Sequence, residues 1–388
     1  MKIASYPGIG NPNNPYIDLF YSALQKHGVT HYQKELQISL EWLNENKTQF
    51  DCIHLNWPEV LWRLDNTPPK PSYIRPLLRN NLPGFWRILQ VTDQLKPLNT
   101  FKPIYILISR AKGYLYFKRF LSKAKSYDLK IIWTFHNAEI HEGSSLIDRL
   151  GYKYLARISD LVILHGKIAQ TDFLEKYRTN GQTIVMPIGN YDGVYPPPRP
   201  KEIILKELGL RHDLPIVSCL GMLRNYKGLD IATETMALLD DKVQFLCAGW
   251  PHPSFDIVSL KESMTKLNNA VLVSRFLSDQ EFADYASISD CLFMPYKKIT
   301  GSAVLLASLT LARGVIVSDL PYFQEILAKN KSAGRVAQEY KPAEFADSII
   351  DYLDTPANER NKSARLLAEK YSWENVTKAL INTLRSLK

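Results

Sequence analysis

The chain has 388 residues, 45% of them hydrophobic and 22% charged. That is ordinary globular composition, too long for one hydrophobic core and about right for two. The formal net charge is +9, and residues 61 to 130 account for more than all of it, with 14 Lys/Arg against 3 Asp/Glu.

The four cysteines, Cys52, Cys219, Cys247 and Cys291, sit singly in apolar runs. That spacing excludes a disulfide scaffold and close-paired metal ligands, and predicts buried thiols in a reducing compartment. The start Met1-Lys2-Ile3-Ala4-Ser5-Tyr6-Pro7 lacks the long apolar stretch and small-residue cleavage site of a secretory signal. No run approaches the roughly 18 apolar residues of a spanning helix. The expected location is therefore cytoplasmic, peripheral at the inner face of the membrane.

Short apolar runs alternate with helix-periodic segments along the whole chain, the pattern of βαβ units and parallel sheets. The first half offers strands at Lys2–Tyr6, Cys52–Leu55, Ile131–Phe135, Leu161–Leu164 and Thr183–Met186. The second offers Ile216–Leu220, Val243–Ala248, Ala270–Val273, Cys291–Met294 and Val315–Val317. Between them Tyr195-Pro196-Pro197-Pro198-Arg199-Pro200 removes backbone donors and favours an extended connection. The expected division is a first domain over 1–194, a second over 195–370, and a closing helix over 371–388, with Ser372 as its N-cap.

Four clusters bear chemistry. After the first strand, Gly8 and Gly10 stand at a strand-to-helix turn, either an anion cradle or a plain tight turn. Thr134-Phe135-His136-Asn137-Ala138-Glu139-Ile140-His141-Glu142 ends another strand and supplies proton acceptors and hydroxyl-binding groups. Its spacing is not His-Glu-x-x-His and no third ligand cluster is evident, so no metal is expected. Gly221-Met222-Leu223-Arg224-Asn225-Tyr226-Lys227-Gly228 follows the first strand of the second half, where Arg224 and Lys227 are spaced to clamp a diphosphate. Finally, Tyr296, Thr300, Gly301 and Ser302 lead from a strand into a helix whose first turn could hold a phosphate or simply be capped.

The basic segment 61–130 interleaves its cations with aromatic and aliphatic residues, among them Trp62, Tyr73, Phe85 and Trp86. In the helical candidate 110–125, Tyr114, Phe117 and Leu121 recur at helical spacing, flanked by Lys112, Lys118, Arg119, Lys123 and Lys125. This pattern predicts docking on an anionic membrane surface rather than on nucleic acid.

Taken together, these residues resemble the GT-B glycosyltransferases, and within them the large retaining family that includes many bacterial polysaccharide transferases. Gly221–Asp230 resembles that family's phosphate loop, and Gly314-Val315-Ile316-Val317-Ser318-Asp319 the strand after its donor-binding helix. The runs His136-Asn137 with His141-Glu142, Arg224–Gly228 and Pro295-Tyr296 with Thr300-Gly301-Ser302 resemble a narrower exopolysaccharide subgroup, some of whose members are β-mannosyltransferases. The resemblance implies an α/β fold of two Rossmann-like domains facing a central cleft, with a C-terminal helix crossing back to the first. It departs at Ile299 and Ala307, where the retaining family carries two glutamates, and at Met222, where it carries an arginine.

The expected activity is transfer of a sugar from a nucleotide diphosphate donor, GDP-mannose ahead of a UDP-sugar, to a lipid-linked or glycan acceptor. The expected mechanism is inverting and independent of metal or other cofactor. Glu142 or His141 would be the base, ahead of Asp18 and Glu59. His136 and Asn137 would orient sugar hydroxyls; Gly8, Gly10, Arg224, Lys227, Tyr296 and the Thr300–Ser302 turn would hold the donor. The alternatives are a nucleotide-sugar epimerase or phosphorylase of the same fold, or a silent partner subunit.

Overall fold

The computed structural model describes residues 1–10, 14–32, 36–62, 102–136 and 146–387. Among them, twelve strands form two six-stranded parallel sheets. The first holds β1 (Lys2–Tyr6), β2 (Thr30–His31), β3 (Cys52–Asn56), β4 (Lys130–Phe135), β5 (Leu161–Leu164) and β6 (Gln182–Val185), in the order β2-β1-β3-β4-β5-β6. The second holds β7 (Ile216–Leu220), β8 (Gln244–Ala248), β9 (Ala270–Val273), β10 (Cys291–Met294), β11 (Gly314–Ser318) and β12 (Gly334–Ala337), in the order β12-β11-β10-β7-β8-β9.

Strands buried on both faces read as continuous apolar runs, and here alternate residues go to opposite sides. Ile216 and Leu220 belong to the inner core, whereas Val217 and Cys219 belong to the outer one. In each sheet the strand order reverses once, between β1 and β3 and between β7 and β10. Ligands of open α/β sheets bind beyond the carboxyl ends of the strands at such reversals. The architecture is GT-B: two Rossmann-like domains facing a cleft.

The helix Lys102–Lys125 covers the outer face of the first sheet beside the helix Leu146–Ile158. Trp62, fully buried, is wedged between them. A side chain at Gly113 would meet its backbone at 3.0 Å and one at Gly151 its ring at 2.7 Å, while its Nε1 donates to Asp148 Oδ1 at 2.8 Å. This corrects the expectation for two parts of the basic segment. Trp62 is core rather than docking surface, and the stripe of Phe117 and Leu121, with Tyr114 partly buried, packs inward. Lys118, Arg119 and Lys123 stay at the surface. Arg63, Tyr73, Arg75, Arg79, Phe85, Trp86 and Arg87 lie outside the described residues. Among the described residues, no helix is long and apolar enough to cross a membrane.

The chain passes between the halves twice. The segment between β6 and the helix Lys201–Leu208 leads out, and the helix Ala357–Lys370 returns through Tyr371 to the helix Trp373–Ser386. Ser372 caps this last helix by accepting from the Asn375 N–H. The helix buries Trp373, Val376, Leu380, Ile381 and Leu384 and packs on the helix Tyr16–Gln25 of the first half. The Trp373 indole stands edge-on to Tyr16 and Phe20 and donates to the Asn190 carbonyl at 2.7 Å. A Cβ at Gly189 would lie 2.4 Å from its ring, so glycine is there to admit the indole.

Two substitutions on opposite sides of this contact have the same expected sign. Trp373→Ala opens a cavity and should lower unfolding free energy by about 3–5 kcal/mol, and Gly189→Ala drives a methyl into the indole and should destabilise as well. Urea denaturation of both and of the double variant checks this; the double should fall short of the sum, because touching residues are not additive. Wild-type midpoints would contradict it.

Candidate active site

A cavity of about 500 Å³ lies between the carboxyl edges of the two sheets. From the first sheet come Tyr16 after β1, Trp57 and Glu59 after β3, His136 after β4 and His165 after β5. From the second come Met222, Arg224 and Lys227 after β7, His252 after β8, and Tyr296, Ile299 and Gly301 to Val304 after β10. The wall therefore draws on both points of strand reversal.

The loop after β7 begins with Gly221 at φ +86, where a Cβ would meet Val304 at 3.1 Å and Lys227 Nζ at 3.4 Å. It continues through a single turn, Asn225–Lys227, that lays Lys227 back over the end of β7. Nζ donates to the Leu220 carbonyl at 3.2 Å and stands 5.6 Å from the Tyr296 ring centre. The side chain is 6% exposed, and desolvation pulls its pKa down to about 8. A buried cation with one carbonyl and one ring face for company is set to gain from an arriving anion. Arg224 lines the same wall, its Nε donating to Met222 Sδ at 3.0 Å. Met222, standing where the resemblance places an arginine, thus holds the arginine two positions on.

Across the reversal, the helix Ala303–Thr310 starts at the cavity. Ser302 is its N-cap, and its Oγ accepts from the Leu305 N–H at 3.1 Å. The hydroxyl oxygen serves the cap while Ser302 still lines the cavity, and the first-turn N–H groups, at the positive end of the helix, are a second anion-facing feature. Thr300 is not part of the wall. Its Oγ1 donates across the cleft to the His136 carbonyl at 3.1 Å, so it ties the two halves. Gly301 sits beside that tie, where a Cβ would lie 3.2 Å from Ile188 Cδ1.

On the first half, buried imidazoles set one another's tautomers. His165 Nδ1 faces the Met186 carbonyl at 3.0 Å and must carry hydrogen, so its Nε2 accepts from His136 Nδ1 at 3.1 Å. Burial, and then the neighbouring His165 and His54, hold the His136 pKa well below the ordinary imidazole value. Neutral His136 then keeps a lone pair on Nε2, 3.0 Å from Asn56 Oδ1. Two acceptors cannot share that contact, and Asn56 Nδ2 has no other partner among the described residues, so the amide satisfies the pair with its NH₂ turned to the ring. Both nitrogens of His136 are occupied. These contacts fix the orientation of the ring.

Of the residues expected at the site, His136, Arg224, Lys227, Tyr296, Gly301 and Ser302 line the cavity. Gly8 and Gly10 do not. The Gly10 N–H donates to Asp18 Oδ1 at 2.9 Å, so the amide meant for an anion already faces a carboxylate, and Asp18 is removed from the wall with it. Asn137, His141 and Glu142 lie outside the described residues. Sequence reasoning passed over Trp57 and His165, although both directly follow apolar strands, and it ranked Glu59 in reserve. Glu59 is the carboxylate of the wall among the described residues, and it accepts from Tyr152 OH at 3.0 Å. Ile299 occupies the wall with an apolar side chain, and Ala307 is buried inside the helix Ala303–Thr310.

Residues 200–371 match the family of glycosyl transferases group 1. This part of the chain is similar to that family. It contains the Arg224–Lys227 loop and the capped helix start described above. No curated protein matches the chain. Among solved structures, HepE of Anabaena in complex with UDP-glucose is similar over 100% of both chains, with a TM-score of 0.67 and 13% identity. Sucrose-phosphate synthase from Thermosynechococcus elongatus is similar over 100% of this chain and 99% of its own, with a TM-score of 0.65 and 17% identity. An E. coli structure, trehalose-6-phosphate bound with UDP-2-fluoro glucose, aligns over 99% and 98% with a TM-score of 0.64 and 12% identity. At such identities the likeness is one of fold, and it extends beyond the matched residues 200–371 to the first half.

Lys227 makes a pH-dependent contribution of definite sign. Below pH 8 the lysine is charged both folded and unfolded, and the full desolvation cost is present. Between about 8 and 10.5 the folded lysine has lost its proton and the unfolded one has not, so stability rises with pH. The rise is up to ~1 kcal/mol per pH unit. Denaturation of wild type and Lys227→Met at pH 7.5 and 9.5 isolates it: the stability advantage of the variant should shrink at the higher pH. An unchanged difference would mean that Lys227 titrates normally.

Proposed function

We propose that the protein is a glycosyltransferase that moves a sugar from a nucleoside diphosphate to an acceptor hydroxyl in the cleft. The observation carrying this reading is the polarity of one cavity. Its second-half wall presents Arg224, Lys227 and a helix N-terminus, and its first-half wall presents Glu59 and the fixed His136. The first set suits a departing diphosphate, the second an acceptor. The proposed donor is a UDP-sugar, because the Anabaena and E. coli structures hold UDP-glucose and UDP-2-fluoro glucose; GDP-mannose, which the sequence resemblance implies, is the alternative to measure against it.

The proposed reaction is a single displacement with inversion. A carboxylate takes the proton of the acceptor hydroxyl as its oxygen bonds to the anomeric carbon, and the bond from that carbon to the diphosphate oxygen breaks. The leaving nucleoside diphosphate carries the electron pair away, its charge met by Arg224, Lys227 and the first turn of Ala303–Thr310. Ile299 and Ala307 supply no carboxylate on the donor side, which favours inversion. Glu59 is our choice of base. It is held by Tyr152 and lies on the wall opposite the cations, whereas His136 has no free nitrogen. Glu142 and His141 remain to be tested beside it.

The acceptor we propose is a glycan or lipid-linked glycan presented at an anionic membrane surface on the cytoplasmic side. The paired helices Lys102–Lys125 and Leu146–Ile158 expose Lys118, Arg119, Lys123, Arg149, Lys153 and Arg157 on one face of the first half. With the apolar stripe turned inward, this docking is electrostatic. Each cation contributes on the order of 1 kcal/mol within a Debye length.

Thermal stabilisation across UDP, GDP, ADP and CMP should name the donor nucleotide. With the matching sugar donor, Arg224→Ala and Lys227→Ala should each lower kcat/KM by on the order of 10²-fold. Glu59→Gln should slow turnover by roughly 10²- to 10⁴-fold with donor affinity kept, and EDTA should leave activity intact. A protein that binds the nucleotide without turnover would be a silent subunit, and one that returns an epimerised donor an epimerase.

Vesicle flotation tests the surface separately. Binding should need anionic lipid, weaken steeply with salt, and vanish when Lys118, Arg119 and Lys123 are changed to Glu. Equal partition onto neutral vesicles would reject it.

A further inference from the structure

The segment leaving β3 contains a residue whose geometry the proposed reaction has not used. Trp57 adopts φ 47, ψ 53, the left-handed region, which a bulky side chain avoids unless its surroundings impose it. The strain falls at the point where the chain turns from β3 into the turn Pro58–Leu61. It lets three near-consecutive side chains serve the same place: Asn56 bonds His136, Trp57 lies flat on it, and Glu59 lines the cavity beside them.

The Trp57 and His136 rings stack with centroids 4.2 Å apart and planes 10° from parallel. His136 cannot swing, because His165 occupies its Nδ1 side and Asn56 its Nε2 side. Tyr16 stands edge-on to both rings, at 6.3 Å from Trp57 and 5.1 Å from His136. The indole is thus backed on one face by a rigid neutral plate and steadied at its side, and it lines the cavity wall.

We infer that Trp57 is a stacking platform for a pyranose ring of the acceptor, so that the group receiving the transferred sugar is itself a sugar. The inference rests on the glycosyltransferase reading and specifies its acceptor. A pyranose carries a face of C–H groups that packs on an aromatic plane, while its rim of hydroxyls requires polar partners. Glu59, two residues along the same turn, supplies such a partner at the rim of the platform. An alkyl chain would find this wall too polar, and a nucleotide phosphate would find its cations on the opposite wall, at Arg224 and Lys227.

Saturation-transfer NMR with the methyl α- and β-pyranosides of glucose, galactose and mannose, recorded with saturating UDP, tests the platform. Wild type should transfer saturation to ring C–H protons of at least one glycoside. Trp57→Phe, which keeps a planar face, should retain the signal with weakened affinity. Trp57→Ala should weaken binding by about tenfold or more, the worth of a good aromatic contact, with thermal stabilisation by UDP unchanged in both variants. If Trp57→Ala does not fold, Trp57→Phe against Trp57→Leu carries the same comparison. Glycoside contacts that are equal in all variants, or absent in a wild type that binds UDP, overturn the platform. A wild type that contacts glycosides through Trp57 but binds none of UDP, GDP, ADP or CMP overturns the donor assignment and leaves the platform standing.

Discussion

Two parallel sheets can share one ligand only if their carboxyl edges are held face to face, and here that constraint falls on the indole of Trp373. It arrives at the end of a chain that has already built the second half, enters the space vacated at Gly189, and meets Tyr16 and Phe20 on the first helix of the first half. One apolar cluster therefore runs from Ile3 in β1 through Trp373 to Leu306 under the donor-side helix. Tyr16 belongs to that cluster and also lines the cavity. The same packing that closes the fold thus sets the width of the site.

Given that geometry, the cleft separates its charges by origin. Cations and helix N-terminus come from the second sheet, carboxylate and fixed imidazole from the first. A cation sunk beside β7 in an apolar site would be a burden in a structural role, because no carboxylate among the described residues offsets its desolvation. It becomes intelligible as a device that waits for an anion. The two histidines act in the opposite sense: burial keeps them neutral, so they add shape and hydrogen bonds to the acceptor wall without repelling the cations across the cleft.

The fold was largely legible because strands buried on both faces leave unbroken apolar runs. β1, β5, β7, β9 and β10 begin and end where those runs do. β2 and β12 were missed for a common reason. Thr30–His31 is two residues long and Gly334–Ala337 contains an arginine, and both exist through pairing at a sheet edge, with β1 and β11, not through local pattern. At the site, Arg224 and Lys227 were readable because strand end, glycine and cation spacing coincide. Gly10 was misread because its amide meets Asp18, eight residues on. Thr300 was misread because its partner is a carbonyl on the other half. Trp57-Pro58-Glu59 carried the strand-end signal as plainly as Arg224 did, but its strain and its stacking on His136 arise from three strands meeting, which no single segment encodes.

The four lone cysteines have a use that follows from where they lie. Cys52 is in β3, while Cys219, Cys247 and Cys291 are in β7, β8 and β10, and all are buried. Burial pushes the Cys52 and Cys247 thiols up to about 12 and raises the other two as well. None is a competent nucleophile while its sheet is closed. Alkylation is then a clock for strand opening, with one hand in the first sheet and three in the second. The native sequence carries its own reporter for whether the two halves of a glycosyltransferase fold breathe together or apart.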